Sequence, residues 1–293
     1  MTGRTLVGLI GSHIGGSLAP ALHEDAFAAA GKIGHYHLMD VNVLKDRRLE
    51  DLLAAARSTG FAGVNITFPF KEAVIPLLDE VSPEAAEIGA VNTVVFDPAG
   101  RSTGHNTDRS GFRAAFLAAF GADAVRGKAV LQLGAGGAGR AVAFALRDLG
   151  VASLRLYDRD TQRARNLCAD LGGSCEVLDA PEPAAASAAG IVNATPIGMT
   201  GHDGLPMTPE VVQAHHVVAD VIYTPLETEF LKAAKAKGAR TMGGAGMCVH
   251  QAVRAFELFT GRTPDLARMD RTFLAAAAKR DVDREDKPPS SRA

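Results

Sequence analysis

Short apolar runs rich in β-branched residues alternate along this chain with longer alanine-rich segments. The first runs are LVGLIG, LAPALHEDAFAAAG, HYHLMDV, DRRLEDLLAAARSTG and FAGVNIT, which predict strand, helix, strand, helix and strand. A second alternation starts at KAVLQLGAGGAGRAVAFALRDLG and continues through SLRLYD, TQRARNLCADLG, IVNAT and HVVADVIY. Parallel strands need crossover connections, so the pattern predicts an α/β fold with parallel sheets.

The two starts of this alternation, in a chain of 293 residues, indicate two domains. The segment VNTVVFDPAGRSTGHN predicts two extended runs about a turn, and the first domain is expected to close near residue 105. Near the C-terminus, GMCVHQAVRAFELFTGRTPDLARMDRTFLAAAAKR predicts two helices, each with a buried apolar face. We expect them to pack on the first domain, and we expect residues 281–293, which are charged and rich in Pro and Ser, to be a flexible tail.

Charge and cysteine content exclude several classes of protein. The chain has 31 Lys and Arg against 33 Asp and Glu, a net charge of −2, which argues against a nucleic-acid binder. The apolar run at the N-terminus is too short for a signal peptide or a membrane span. Cys168, Cys175 and Cys248 are odd in number and form no CxxC pair, and no His/Cys cluster has zinc-ligand spacing. We therefore expect a reduced cytoplasmic protein that binds no metal, nucleic acid or membrane.

The run GAGGAG, which is Gly134, Ala135, Gly136, Gly137, Ala138 and Gly139, lies between an apolar strand and a helix. That context makes a GxGxxG pattern typical of a Rossmann dinucleotide site. Gly134 permits the tight turn, Gly136 lets the backbone approach a pyrophosphate, and Gly139 lets helix and strand pack closely. The phosphates would then lie at the positive end of the helix.

Asp158 ends the next predicted strand, LRLYD, 19 residues after Gly139. A carboxylate there accepts hydrogen bonds from the ribose hydroxyls of NAD and repels a 2′-phosphate. The adjacent Arg159 could instead pair with the phosphate of NADP, or it could be a solvated loop charge. The sequence favours NAD and leaves NADP open.

Three polar segments end predicted strands of the first domain: NITFPFK (65–71), GAVNT (89–93) and GHNTD (104–108). Ligands bind at the carboxyl ends of strands in open α/β sheets. Each residue also has an ordinary explanation, since Lys71 could be a solvated charge, Asp108 a helix N-cap and Asn92 a turn residue. Together they could bind a polyhydroxylated ring and move a proton.

Together with GAGGAG, NATPIGM (193–199) and GGAGMCVHQA (243–252), these segments resemble the shikimate and quinate/shikimate dehydrogenase family over nearly the whole chain. The resemblance implies a substrate domain of residues 1–105 plus 247–280, a Rossmann domain of residues 106–246, and a substrate cleft between them. It also implies a small carboxylated polyol ring as substrate and a monomer or homodimer.

The resemblance further implies a role for each matched residue. Lys71 and Asp108 are similar to the family's catalytic pair, and Thr67, Asn92 and Gln251 to its ligands of the ring hydroxyls. Ser17 and Tyr223 match residues near the substrate carboxylate. Gly246 resembles the glycine lining the nicotinamide site, and the backbone around Thr195 and Val221 lies where the family contacts the cofactor.

One position departs from the family pattern, which has Ser-x-Ser or Ser-x-Thr before a proline. Here the run is Ser17, Leu18, Ala19 and Pro20, so one hydroxyl donor to the carboxylate is missing. A hydrogen bond to a charged group is worth roughly 1.5 to 3 kcal/mol, so affinity could be lower or the substrate could differ there. Asp158 and His105, in contrast, resemble the NAD-preferring quinate/shikimate branch and favour a catabolic role over aromatic amino acid biosynthesis.

The resemblance therefore implies reversible hydride transfer between NAD and the ring C3 hydroxyl of shikimate or quinate, with Lys71 handling the hydroxyl proton. Oxidation is expected to be fastest at alkaline pH, where a lysine more often acts as a base. His105 could be structural or catalytic, and His215 and His216 match no metal or nucleophile pattern. Cys248 could line the nicotinamide pocket, although a small buried hydrophobe fits it better. An aminoshikimate-type dehydrogenase and a catalytically weak NAD-dependent sensor remain the alternatives.

Overall fold

A computed structural model describes residues 4–44 and 46–285, and their contacts divide the chain into two compact units. The first unit comprises the described parts of Met1–Ala85, Val91–Thr107 and Ala252–Ala293. The second unit comprises Ala86–Ala90 and Asp108–Gln251. None of the described helices combines the length and the apolar character needed to cross a bilayer.

Six of the described strands form the sheet of the first unit, in the order β2-β1-β3-β5-β6-β4. Their bounds are β1 Arg4–Gly11, β2 Ile33–Asp40, β3 Phe61–Ile66, β4 Glu80–Val81, β5 Thr93–Phe96 and β6 Ser102–His105. β1 pairs in parallel with β2 and β3, whereas β5 is antiparallel to both β3 and β6. The chain reverses between β5 and β6 at the predicted DPAG turn, where Gly100 N donates to Asp97 O at 2.9 Å.

The helices of the first unit are α1 Ala19–Ala29, α2 Leu49–Ser58, the start of α3 Pro83–Ile88, the end of α9 Ala245–Thr260, and α10 Leu266–Glu285. A buried cluster that includes Ile10, Val64, Ile66 and Val94 packs the sheet against α2. On α1, Asp25 accepts hydrogen bonds from Arg268 and Thr272 of α10, between 2.7 and 2.9 Å. The two C-terminal helices that the sequence predicts thus both contribute to this unit.

Six of the described strands in the second unit form a parallel sheet in the order β12-β11-β10-β7-β8-β9. Their bounds are β7 Ala129–Leu133, β8 Ser153–Tyr157, β9 Cys175–Val177, β10 Gly190–Asn193, β11 Val217–Asp220 and β12 Arg240–Met242. The strand order reverses between β7 and β10, and ligands bind at such a switch point. The α/β fold class predicted from the sequence is confirmed, although the sheet of the first unit is mixed.

The helices of the second unit are α4 Thr107–Phe120, α5 Gly137–Asp148, α6 Thr161–Leu171, α7 Glu182–Ala185, α8 Glu229–Ala236 and most of the first half of α9. Two buried apolar clusters lie on its sheet. One includes Phe112 and Phe116 of α4 with Val142 and Phe144 of α5, and the other includes Leu131, Ile191 and Phe230.

The two units differ from the predicted domains at residues 106 and 107, which group with the first unit, and at residues 86–90, which group with the second unit. Glu87 pairs there with Arg109 and Arg147, and these guanidinium groups lower the pKa of Glu87. Arg109 also pairs with Asp148 at 2.7 Å. The division in the C-terminal part falls at 251/252, five residues after the predicted one.

The predicted tail also begins differently, because α10 continues through residues 281–285, and residues 286–293 lie outside the described residues. The cysteines also differ from the expectation that all three are reduced. Cys168 and Cys175 form a disulfide. Gly172 and Gly173, both with positive φ, reverse the chain between α6 and β9 and bring the two sulfurs together.

Candidate functional site

Hydrogen bonds between buried polar side chains cross the first unit's sheet at the ends of its strands. Asn65 Nδ2 donates to Thr93 Oγ1 at 2.9 Å, and the Thr93 hydroxyl donates to Asn92 Oδ1 at 3.0 Å. Asn92 Nδ2 donates in turn to Thr107 Oγ1 at 2.9 Å, and Thr107 N donates back to Asn92 Oδ1 at 2.8 Å. These bonds fix the orientation of the Asn92 amide and tie it to Thr107, the residue directly before Asp108 in the chain.

Lys71 lies in the turn after β3, and its side chain is half-buried. Its backbone carbonyl accepts a hydrogen bond from Val91 N at 2.8 Å, which places it beside the residue that precedes Asn92. Thr67 N donates to Ile10 O at 3.0 Å, so the same turn is held at the end of β1. The first unit therefore brings together three predicted site residues, Lys71, Thr67 and Asn92.

The loop that carries Ser17 is held by Asp40, the last residue of β2. The Asp40 carboxylate accepts hydrogen bonds from His13 N at 3.2 Å and Ile14 N at 2.8 Å, and Ser17 N donates to Ile14 O at 2.9 Å. Burial alone would raise the pKa of Asp40, but hydrogen bonds from Asn42, Ile14 and His13 outweigh it and lower that pKa. Our sequence reasoning missed Asp40, although a strand-end acid is the feature that identified Asp158.

Ala19 lies at the start of α1, two residues after Ser17. Its backbone N–H donates to Ser17 Oγ at 3.3 Å, so this hydroxyl oxygen accepts a local hydrogen bond.

His105, the last residue of β6, lies in the same unit. Its carbonyl accepts a hydrogen bond from Asn92 N at 3.0 Å, which supports the pairing of β5 with β6. Burial lowers the pKa of His105, with a smaller effect of Arg254, and this favours a neutral imidazole.

In the second unit, the glycine-rich loop has the geometry that a dinucleotide site needs. Gly134 has φ +99°, and a Cβ there would lie 2.8 Å from the backbone of Ala194. A Cβ on Gly139 would collide with the Gly134 carbonyl, so α5 can approach β7 only with glycine at this position. Gly136 is the N-cap of α5, and a Cβ on it would face open space. Gly137 and Ala138 form the first turn of that helix.

Asp158, at the end of β8, connects this loop to the loop before α6. Its carboxylate accepts hydrogen bonds from Ala135 N at 2.7 Å and from Asp160 N at 2.8 Å. Asp158 is half-buried, whereas Arg159 is exposed. The acid therefore lies against the loop predicted to hold the cofactor, where ribose hydroxyls would come within its reach.

Other predicted cofactor and substrate residues of the second unit lie on loops after its strands or on α9. Thr195 follows β10, and its Cγ2 lies 3.0 Å from where a Gly134 Cβ would be. Val221 and the half-buried Tyr223 follow β11. Gly246 is in the first turn of α9, where a Cβ would lie 3.2 Å from Ala115 Cβ.

Asp108 is the second residue of α4 and is 6% exposed. Gln251 lies on α9, and its Nε2 donates to Cys248 O at 2.9 Å. Gly111, one turn after Asp108, lies directly against Gln251, so the second unit brings these two predicted substrate residues onto adjacent helices. Nothing in the sequence indicates this contact.

The two adjacent histidines to which the sequence assigns no role differ in exposure. His216 is buried and accepts a hydrogen bond from Gln213 N at 2.9 Å, whereas His215 is exposed.

A two-unit α/β chain with a glycine-rich loop at a sheet's switch point and polar strand ends belongs to the class of dinucleotide-dependent enzymes. The family model described as the shikimate dehydrogenase substrate binding domain matches residues 9–94, and that described as the shikimate 5'-dehydrogenase C-terminal domain matches residues 244–272. The chain belongs to the shikimate dehydrogenase family, as its motifs predicted.

Individual relatives agree with this assignment. The chain is 48% identical to a quinate/shikimate dehydrogenase (NAD(+)) of Corynebacterium efficiens, over 92% of this chain and 98% of the relative. It is also 48% identical to a shikimate dehydrogenase (NADP(+)) of Streptomyces avermitilis, over 90% and 93%. Among solved structures, the quinate dehydrogenase of Corynebacterium glutamicum in complex with NAD matches with a TM-score of 0.88 and 44% identity, over 93% of this chain and all of that one.

Proposed function

We propose that the protein is an NAD-dependent dehydrogenase that reversibly oxidises the ring C3 hydroxyl of quinate or shikimate to the 3-dehydro acid. The observation that carries the cofactor choice is the Asp158 carboxylate, held against the glycine loop by the Ala135 N–H at 2.7 Å. A carboxylate fixed there favours a ribose hydroxyl over a 2′-phosphate. Relatives named as NAD(+) and as NADP(+) enzymes support hydride transfer by either cofactor.

Bound NAD supplies the hydride acceptor, and the chain's own residues bind the cofactor. The backbone of residues 134–139 would hold the pyrophosphate at the start of α5, where helix N–H groups converge. Asp158 would accept from the ribose, and Arg159 would decide whether NADP is tolerated. Thr195, Val221 and Gly246 would line the nicotinamide side.

On the substrate side, Lys71 accepts the proton of the C3 hydroxyl as hydride leaves the same carbon, and Asp108 accepts a hydrogen bond from the substrate and orients it. Thr67, Asn92 and Gln251 bind the other ring hydroxyls, and Ser17 and Tyr223 bind the carboxylate. The fixed Asn92 amide supports this assignment, because preorganised groups lose little entropy when substrate binds. We place this reaction in the cytoplasm, carried out by a monomer or homodimer.

The test is the initial rate of NADH or NADPH formation with quinate and with shikimate, each with NAD and NADP, from neutral to alkaline pH. We expect activity with NAD that rises with pH, and Lys71→Ala should lower kcat by at least a thousandfold while NADH still binds. Near-normal turnover in that variant would remove Lys71 from the mechanism. Activity with NADP alone would reverse the cofactor assignment and favour a biosynthetic role.

Ala19 supports one alternative substrate, because the missing hydroxyl changes the predicted carboxylate site. If quinate and shikimate are both inactive with both cofactors, an amino-substituted ring is the next substrate to assay. NADH binding without turnover of any of the three rings would support the sensor alternative.

A further inference from the structure

The carboxylate of Asp220, at the end of β11, lies at the centre of a buried network in the second unit. Its Oδ1 accepts from Ile222 N at 3.0 Å, and its Oδ2 accepts from Asn193 Nδ2 at 3.1 Å and Thr228 Oγ1 at 2.9 Å. Asp220, Asn193 and Thr228 are each 0% exposed. The network joins the loop after β10, the loop after β11 and the start of α8.

Asp220, together with the Ile197 carbonyl to which Asn193 Nδ2 donates at 3.2 Å, determines which way the Asn193 amide faces. An ionised carboxylate only accepts hydrogen bonds, so the Asn193 NH₂ group must point toward it. Asn193 Oδ1 then faces the opposite direction, where it accepts from Thr195 N at 3.0 Å and from Thr195 Oγ1 at 2.7 Å. Two hydrogen bonds thus transmit the position of the carboxylate to Thr195.

Thr195 lies beside the glycine turn that we assign to the cofactor. Its Cγ2 is 3.0 Å from where a Gly134 Cβ would be, and the preceding Ala194 backbone is 2.8 Å from that point. This contact joins the ends of β7 and β10, the switch point of the sheet. A displaced Thr195 would therefore disturb the wall of the nucleotide crevice.

The buried carboxylate is also costly to the fold. Burial raises the pKa of Asp220 to about 6, even though Ile222, Asn193 and Thr228 all donate to it. These partners are uncharged, so among the described residues no cation compensates for the lost solvation of the carboxylate. An amide at this position would avoid that cost, which points to a role other than stability.

We propose that Asp220 is a positioning residue for the cofactor, acting through Asn193 to hold Thr195 against the Gly134 turn. The inference rests on the proposed function, because it assumes that a dinucleotide occupies this crevice. When its oxygen accepts from Ile222 N, an amide at position 220 presents its NH₂ to the Asn193 NH₂. Asn193 then keeps only the Ile197 carbonyl as an acceptor, and its amide can turn over. Its NH₂ would then face the Thr195 N–H, and Thr195 would lose its acceptor.

The experiment compares Asp220→Asn with the wild type in two measurements, the Kd of NADH from its fluorescence and the free energy of unfolding in urea, both at pH 7.5. We expect the Kd to rise at least tenfold while the unfolding free energy stays equal or increases. Asp123→Asn, which removes an exposed carboxylate from the same unit, is the control and should change neither.

The double variant Asn193→Asp with Asp220→Asn separates positioning from a general disturbance. A carboxylate at 193 can accept from both Thr195 and the amide at 220, but it loses the hydrogen bond to Ile197 O. We therefore expect it to recover at least a third, but not all, of the lost affinity on a logarithmic scale. No recovery, or an unchanged Kd in Asp220→Asn, overturns the inference while leaving the proposed function in place. A wild-type protein that neither binds NADH nor reduces NAD overturns both.

Discussion

Gly111 on α4 lies so close to Gln251 on α9 that a single added carbon would not fit. A Cβ at position 111 would be 2.8 Å from Gln251 N and 3.0 Å from Met247 O, both backbone atoms that cannot rotate away. The two helices can therefore approach only through glycine, and this contact sets the distance between Gln251 and the turn of α4 that carries Asp108.

The Gly111→Ala variant should move α9 by several tenths of an ångström and weaken substrate binding. We expect KM for quinate or shikimate to rise at least fivefold and the unfolding free energy to fall by about 1 to 3 kcal/mol, as overpacking usually costs. Steady-state kinetics and urea unfolding measure the two effects. Ala118→Ser, which adds one atom on the exposed face of the same helix, is the control and should change neither KM nor the unfolding free energy. An unchanged KM in Gly111→Ala would mean that Gln251 does not bind the substrate.

Restoring a hydroxyl at position 19 should strengthen substrate binding. In Ala19→Ser the new hydroxyl can donate to the substrate carboxylate that we propose to bind beside Ser17, and a charge-assisted hydrogen bond is worth roughly 1.5 to 3 kcal/mol. We expect KM for the better of the two acids to fall about tenfold, with kcat little changed. Ala21→Ser, on the same helix, is the matched control. A rise in KM would indicate that the natural substrate fills the space next to Ala19.

The disulfide between Cys168 and Cys175 should contribute to the stability of the second unit. The disulfide closes a short loop. A cross-link over such a loop lowers the entropy of the unfolded chain and so raises the free energy of unfolding by roughly 2 to 3 kcal/mol. A reducing agent should lower the unfolding free energy of the wild type by about that amount and leave the Cys168→Ser, Cys175→Ser variant unaffected. Cys248→Ser should keep the wild-type sensitivity. Two free thiols at 168 and 175 in the purified protein would contradict this prediction.

Local chemistry explains which features the sequence could predict. Strand and helix periodicity, the glycine spacing and the strand-end position of Asp158 depend on neighbouring residues alone. The φ of Gly134 and the tight packing of Gly139 agree with the roles assigned from that spacing. The three-residue strands β9 and β12 gave too short a pattern to be recognised.

The features that the sequence did not reveal join distant residues. Glu87 pairs with Arg147, 60 positions away, and that contact draws residues 86–90 into the second unit. Asp40 ends a strand and Asp158 directly follows one, but nothing local shows that Asp40 holds the loop of Ser17, 23 positions earlier. Asp220 depends on Asn193 and Thr228, which only the folded sheet brings together.

Replacing Asp158 should change cofactor preference. Asp158→Ser removes the acceptor that we propose for the ribose hydroxyls and the partner of Ala135 N, so we expect KM for NAD to rise at least tenfold. The loss of negative charge should raise kcat/KM for NADP relative to that for NAD. Arg159→Ala tests whether Arg159 pairs with the phosphate of NADP or is only a solvated loop charge. The variant should raise KM for NADP only if Arg159 binds that phosphate. A wild-type cofactor ratio in Asp158→Ser would dismiss this acid as the specificity residue.

Buried His23 should make the protein less stable in acid. Within the described residues its Nδ1 has no hydrogen-bond partner, and the ring stacks on Tyr36 at 4.8 Å. Burial lowers the pKa of His23 from 6.5 to about 3. Between these values the unfolded chain binds a proton that the folded chain does not, so stability is present above about pH 6.5 and is lost as pH falls toward 3.

The test replaces His23 with leucine, which has similar volume and cannot be protonated. The unfolding free energy of His23→Leu minus that of the wild type should grow by up to about 1.4 kcal/mol for each unit that pH falls below about 6. Urea unfolding at pH 7, 6 and 5 measures this difference, and His202→Leu, at an exposed histidine, controls for the loss of an imidazole. A difference that stays constant with pH would show that His23 takes up its proton without unfolding, because water reaches the ring in the folded state.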